Sequence, residues 1–387
     1  MEPDMIQKIA DNIYSPLGFT TAENYARVKQ GDSMLRKYAT DHVVSGSDDA
    51  RLDLPEPFVA SLFDWDKVEP MEGYTPFERI AIQSVKRAAE QTDIDLHSPR
   101  VLLVVSTTKG NIDLLDGHNA NFSDDRLLLG NAAQKIADFF GIVSKPLVVS
   151  NACISGLSAQ ITAMRMLETS NYETAIVVGA DVQSRFIISG FQSFKALSPM
   201  ECRPFDMERV GLNLGEAAAT IIYNKVEQVA EDSWQAVKGT VRNDACHISN
   251  PSKTAEGCYR ALRSVTDGID RSDIAFINVH GTSTLYNDEM EAVAIARAGL
   301  QDTPINSLKG YYGHTMGAAG VLETILSMQA LDEGLVLATR GFEELGVSRR
   351  VNVSAQNQPV SGNAFVKLLS GFGGCNAAML FRKGGEA

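Results

Sequence analysis

Short runs of β-branched and aliphatic residues recur along this chain, separated by stretches with helical spacing, and few folds accommodate that alternation. Residues 100–106 (RVLLVVS), 147–150 (LVVS), 175–179 (AIVVG), 218–223 (AATIIY), 275–279 (AFINV) and 364–369 (AFVKLL) read as buried strands. Between them, residues 77–91, 157–168, 288–298 and 318–333 combine helical periodicity with good helix formers. Strand and helix in turn predict an α/β fold, a mostly parallel sheet covered by helices.

A polar, acidic stretch at 227–234 marks a boundary, so the expected units are residues 1–230 and 231–387. No sequence repeat relates them. Yet Cys153 directly follows one apolar strand and His280 another, which puts both at carboxyl ends of strands, where α/β sheets place chemistry.

Composition excludes several functions. The net charge of −13 disfavours nucleic acid and anionic membrane surfaces. No stretch approaches the roughly 18 uninterrupted apolar residues of a membrane span. Residues 1–13 show no basic segment followed by an apolar run. Five scattered cysteines without a C-x-x-C pair argue against a disulfide framework or a zinc ribbon. The expectation is a soluble, cytoplasmic protein without a metal. No P-loop, H-E-x-x-H, G-x-S-x-G or G-x-G-x-x-G after a strand is present, so nucleotide cofactors have no support.

Four segments carry candidate chemistry. Residues 148–156 (VVSNACISG) run strand, turn, helix, and a thiol at a helix N-terminus is biased toward thiolate. Locally, Cys153 is equally readable as an inert core cysteine. Residues 279–284 (VHGTST) form a glycine- and hydroxyl-rich loop, with Asp288 and Glu291 on one helix face beyond it. A lone histidine there is ordinarily a structural hydrogen-bonder. Residues 308–323 set His314 on the turn into a helix, with Glu323 further along, and Gly317 to Gly320 are small enough for close backbone approach. Residues 370–376 (SGFGGCN) make a glycine turn that a ligand or another backbone can approach.

Together and in this order, the segments resemble the elongating β-ketoacyl-[acyl-carrier-protein] synthases of the thiolase-like superfamily. The nucleophile segment around Cys153 matches, as do H-G-T-x-T (280–284), K-x-x-x-G-H (309–314) with G-A-A-G (317–320), and G-F-G-G-x-N (371–376). So do C-R-P-F-D (202–206), followed by Arg209 and Gly215-Glu216, and S-P-L-G (15–18). The likeness spans about residues 6–382.

The resemblance implies a five-layer αβαβα fold of two similar halves with mixed, mostly parallel sheets. It implies that Cys153 takes an acyl group from an acyl carrier protein's 4'-phosphopantetheine, no cofactor being tightly bound. The N–H groups of Cys153 and Phe372 would form the oxyanion hole, Phe372 also acting as gate. Neutral His280 and His314 would donate hydrogen bonds to the enolate left when malonyl carrier loses CO2. Lys309 with Asp288, Glu291 and Glu323 would be the charged shell beneath them. Thr282 and Thr284 would bind the pantetheine arm, and Ile112 and Leu212 the acyl chain. Cys-His-His separates this type from initiating synthases (Cys-His-Asn) and thiolases (Cys-His-Cys), although Cys375 stands where threonine is usual. A homodimer is implied, or a heterodimer with a related condensing-enzyme subunit.

The chain also departs from the family pattern. Arg209-Val210-Gly211-Leu212 replaces R-D-G-F, and Gly215-Glu216-Ala217 replaces G-E-G. Residues 65–72 are acidic where carrier-docking cations are common, which leaves Lys195, Arg203 and Arg209 as docking candidates. These changes suggest a specialised, aryl-polyene or polyketide-like substrate over the general fatty-acid series. A silent chain-length-factor-like subunit is the alternative function.

Overall fold

The structure, a computed structural model, describes residues 4–38, 58–116 and 122–384. Its main sheet contains β1 (Met5–Tyr14), β2 (Val101–Ser106), β3 (Leu147–Val149), β4 (Thr174–Asp181), β5 (Ala217–Val226) and β6 (Trp234–Asn243). It continues with β7 (Ile274–Asn278), β8 (Pro304–Asn306), β9 (Asn352–Val353), β10 (Ala364–Gly371) and β11 (Cys375–Lys383). The helices are α1 (Thr21–Gln30), α2 (Pro76–Ala89), α3 (Leu129–Phe140), α4 (Ser155–Thr169) and α5 (Arg185–Ser193). They go on as α6 (Glu256–Thr266), α7 (Leu285–Arg297), the single turn α8 (Lys309–Tyr312) and α9 (Ala319–Asp332).

Strand order across the sheet is β9-β8-β7-β10-β11-β6-β1-β5-β4-β2-β3. The flanks are parallel, through β2·β3, β2·β4, β7·β8 and β7·β10. The middle is antiparallel, and β1 meets β6 there through Gln7 and Lys8. The order β3-β2-β4-β5-β1 on one side recurs as β8-β7-β10-β11-β6 on the other. This duplication of topology has no counterpart in residue identity.

Burial explains the uninterrupted apolar runs. In β4, Ala175 and Val177 face one core while Ile176, Val178 and Ala180 face another. In β10, Phe365 and Leu369 share that first core, while Ala364, Val366 and Leu368 turn to a third. A strand with helices on both faces cannot alternate apolar with polar. α4 and α9 fill the shared core and touch strands of both sides, α2 and α3 cover one outer face, and α6 and α7 the other. Five layers follow: helices, sheet, helices, sheet, helices.

The central helices meet on glycine. A Cβ on Gly156 of α4 would lie 2.8 Å from the Gly317 carbonyl oxygen and 2.9 Å from the Gly320 nitrogen. A Cβ on Gly320 would in turn press on the Leu157 amide. The close approach read from residues 317–320 is therefore a contact between the Cys153 helix and the His314 helix. Gly320→Ala is expected to destabilise the fold by about 1–3 kcal/mol, because the clash is with backbone that no rotamer change relieves. An unaltered urea midpoint would contradict this.

Candidate active site

Cys153 stands on a sharp elbow between β3 and α4. Ala152 is held at φ 46, a left-handed conformation uncommon outside glycine. The Ser155 hydroxyl braces the turn, accepting from the Asn151 N–H at 2.7 Å and donating to the Ala152 carbonyl at 2.6 Å. The elbow is matched in the other loops, where Ser283 (φ 66) follows His280 and Met316 (φ 48) follows His314. Such outliers persist only where the surroundings over-determine them, and they concentrate at functional sites.

The three loops converge. A ligand atom from each of Cys153, His280 and His314 lies within 4.8 Å of the others, and all three residues are buried. The imidazoles cross at 80° with centroids 5.1 Å apart. The Met316 N–H donates to Nδ1 of His314 at 3.3 Å, which leaves the ring proton on Nε2. That Nε2 is buried without a hydrogen-bond partner among the described residues. The tautomer makes His314 a donor into the site and unfits Nε2 as a metal ligand, since ligation needs its lone pair.

Burial, then Lys309, His314 and Lys367, holds His280 well below the usual histidine value. Burial, Lys309 and Lys367 do the same for His314. Both imidazoles are neutral near pH 7. For Cys153 the local expectation of a resting thiolate is corrected: burial pushes the thiol from 9.0 up to about 12, against the pull of Lys309 and the Phe372 N–H. A helix terminus is worth about 1 kcal/mol, less than one pKa unit. Desolvation wins, and the resting nucleophile is protonated.

The glycine turn closes on the thiol. The Phe372 N–H is directed at the Cys153 sulfur, and a Cβ on Gly371 would lie 3.1 Å from the Cys153 nitrogen. Phe372 packs against Phe194 at 4.9 Å and Phe191 at 5.6 Å, and Phe191 meets the His314 ring edge-on at 6.4 Å. The two α5-region aromatics were not singled out in the sequence. Cys375 also lines the cavity, its thiol 3.2 Å from the Phe372 carbonyl oxygen.

The acidic residues divide by task. Glu291 accepts the N–H groups of His280 and Gly281, each at 2.7 Å. Asp288 accepts from Thr282 at 3.0 Å and from Phe205 at 2.7 Å, tying the C-R-P-F-D segment to the His280 loop. Of these three carboxylates, Glu323 is the one paired with lysine ammoniums, one oxygen against Lys309 and the other 2.8 Å from Lys367. Asp181, also unflagged by the sequence, accepts the Gly317 N–H at 2.7 Å and so holds the turn after His314.

A cavity of about 310 Å³ leads to the triad, and Thr282, Thr284, Phe372 and Leu212 line it. The two threonine hydroxyls are 2.9 Å apart. Ile112 is not in this lining; it packs with Leu212, Ile187, Ile188 and Met316 behind it. Of the docking candidates, Lys195 lines the mouth. Arg203 is engaged by Asp206, Glu208 and Glu343. Arg209 is buried, donating to the carbonyls of Asp206 and Gly346. Arg209 is corrected from a surface to an internal charge, while Arg203 stays partly exposed within its cluster of carboxylates.

A buried thiol on a strand-to-helix elbow, faced by two neutral imidazoles in a layered α/β frame, is the arrangement of a condensing enzyme with a thiolase-like fold. The chain belongs to the β-ketoacyl synthase family: residues 22–228 match its N-terminal domain and residues 236–343 its C-terminal domain. It is 26% identical over 410 residues to 3-oxoacyl-[acyl-carrier-protein] synthase 2 of Rhizobium meliloti (strain 1021), covering 95% of this chain and 96% of that one. Nodulation protein E of Rhizobium leguminosarum bv. trifolii is 29% identical over 267 residues, 65% of each chain. A chain of the ketosynthase (ApeO) in complex with its chain length factor (ApeC) from Xenorhabdus doucetiae superposes with a TM-score of 0.85 at 25% identity, covering 98% of both chains.

Proposed function

We propose that this enzyme joins an acyl thioester to malonyl-acyl carrier protein by decarboxylative condensation, giving a 3-oxoacyl carrier two carbons longer. The observation that carries it is the neutral imidazole pair set against a buried thiol. The Cys153 sulfur attacks the acyl carbonyl, whose oxygen becomes negative between the N–H groups of Cys153 and Phe372. The carrier's pantetheine thiol departs with the proton that Cys153 gives up. Malonyl carrier then loses CO2, and the electron pair of the broken bond becomes an enolate whose oxygen accepts from His280 and His314. The enolate carbon attacks the acyl carbonyl, and the Cys153 sulfur leaves and is reprotonated.

Thr282 and Thr284 line the channel where a pantetheine arm would run, which supports their role in holding it. Lys309, Glu323, Glu291 and Asp288 act beneath the histidines as positioning charges. Leu212 is the wall between the channel and the Ile112 cluster, so acyl-chain depth is assigned to that pair. The reading includes an acyl carrier protein as partner and a dimer of this chain, or one with a related subunit. It includes a cytoplasmic setting, consistent with five free cysteines. Units at 1–230, bearing the thiol, and 231–387, bearing the histidines, are supported by the repeated strand order.

The test supplies malonyl-acyl carrier protein with acyl carriers of graded length and follows CO2 and 3-oxoacyl carrier by mass spectrometry. One CO2 per condensed product is expected, together with an acyl group recovered on the Cys153 peptide. Neither acylation nor CO2 would instead leave a silent chain-length-factor-like subunit. Even turnover across saturated chains of all lengths would remove the argument for a specialised substrate.

A further inference from the structure

The sequence reading used one lysine in this site, and the structure contains two. Lys367 lies in β10, in the run AFVKLL, with its side chain fully buried. An ammonium inside an apolar strand costs several kcal/mol unless its partners repay it, and cores ordinarily avoid it. Here its N–H groups point at the carbonyls of Asn278 (3.3 Å), Val279 (3.3 Å) and Leu368 (3.1 Å), while the Glu323 carboxylate lies alongside at 2.8 Å. Asn278 and Val279 are the two residues immediately before His280, and Asn278 is paired in register with Lys367 itself.

We propose that Lys367 is a positioning residue for the condensation: it fixes the end of β7 that carries His280 and supplies the second of two ammonium groups beneath the imidazole pair. The proposal rests on the condensing reaction above. Its core is a charge count. Lys309 on α8 and Lys367 on β10 share the single Glu323 carboxylate of α9, leaving one excess positive charge under two rings. Glu291 on α7 also faces Lys367, but burial raises its carboxyl and weakens its countercharge. A third cation in that space, an imidazolium, is disfavoured by simple Coulomb repulsion. Both histidines are depressed by Lys367 as well as by burial and Lys309.

This role differs from packing in a way that can be measured. Lys367→Met removes the excess charge, so the histidines should protonate more readily, and the acid limb of CO2 release should move up by about one pH unit. Glu323→Gln raises the excess to two, and its limb should move down by a similar amount. The double variant restores the original excess of one, and its limb should return toward that of the unaltered enzyme.

Histidine 13C NMR titration of the full-length protein reads the same shifts without requiring turnover, and its dispersion reports whether each variant is folded. If Lys367→Met does not fold, the direction of the Glu323→Gln shift decides. Histidine titrations that stay fixed, or move the same way in both single variants, overturn the proposal. Shifted titrations in a protein that releases no CO2 would overturn the condensing reading alone.

Discussion

Cys153→Ala is expected to lower 3-oxoacyl carrier formation by about 10⁴-fold or more while malonyl carrier still loses CO2. The two outcomes separate because they use different parts of the site. Acyl transfer needs a sulfur at the elbow, and no neighbour replaces it: the Cys375 thiol is hydrogen-bonded to the Phe372 carbonyl, and burial pushes it up to about 11. Deleting a nucleophile commonly removes nearly all the catalysis its group supplies. Decarboxylation requires the enolate to be stabilised where the histidines stand, and neither contacts substrate through Cys153. The substitution removes one small buried atom, so folding should survive with a loss of about 1 kcal/mol. Mass spectrometry of the carrier and a CO2 assay on one sample check both halves. Loss of CO2 release in step with condensation would show that the thiol is needed earlier than the mechanism allows.

His280→Ala and His314→Ala are each expected to cut CO2 release about 100- to 1,000-fold, the usual cost of one pre-aimed donor at a developing oxyanion. Each removes one of the two N–H groups that would face the enolate oxygen. The His314 change has a second signature, because Nδ1 accepts the Met316 N–H. Protonation at Nδ1 sets two N–H groups against each other, so the unaltered enzyme should lose activity as pH falls through the depressed histidine value. The sign follows from the direction of the shift: a histidine depressed on folding is neutral above its folded pKa, and below the ordinary value of 6.5 the unfolded chain takes protons the folded one refuses. Stability should therefore weaken on the same side as activity. A double alanine variant that falls no further than either single one would mean the pair acts as a unit.

What the sequence displays and what it hides divide along physical lines. The parallel strands were readable because helices bury both their faces, and 364–369 appears in the structure as β10 from Ala364 to Gly371. Of the central antiparallel strands, 218–223 was read within β5, but β6 and β11 were not. β6 alternates Trp234 and Ala236 inward with Gln235 and half-exposed Lys238, and it begins in the acidic stretch read as a boundary. The candidate catalytic residues were ordinary loop by loop, and only the order of the four segments and its resemblance to the family singled them out. Charge was read least well. Arg209 looked like surface because a sequence cannot say which partners fold against an arginine, and the helix-terminus argument for Cys153 omitted desolvation, the larger effect. Lys367 was visible all along: a lysine in a run otherwise fit for a core needs a reason.

The glycine contact between α4 and α9 has one more consequence. The two main chains touch beside the Cys153 elbow and the His314 turn, so a side chain added at Gly156 or Gly320 would push the nucleophile and that imidazole apart without altering any residue of the channel.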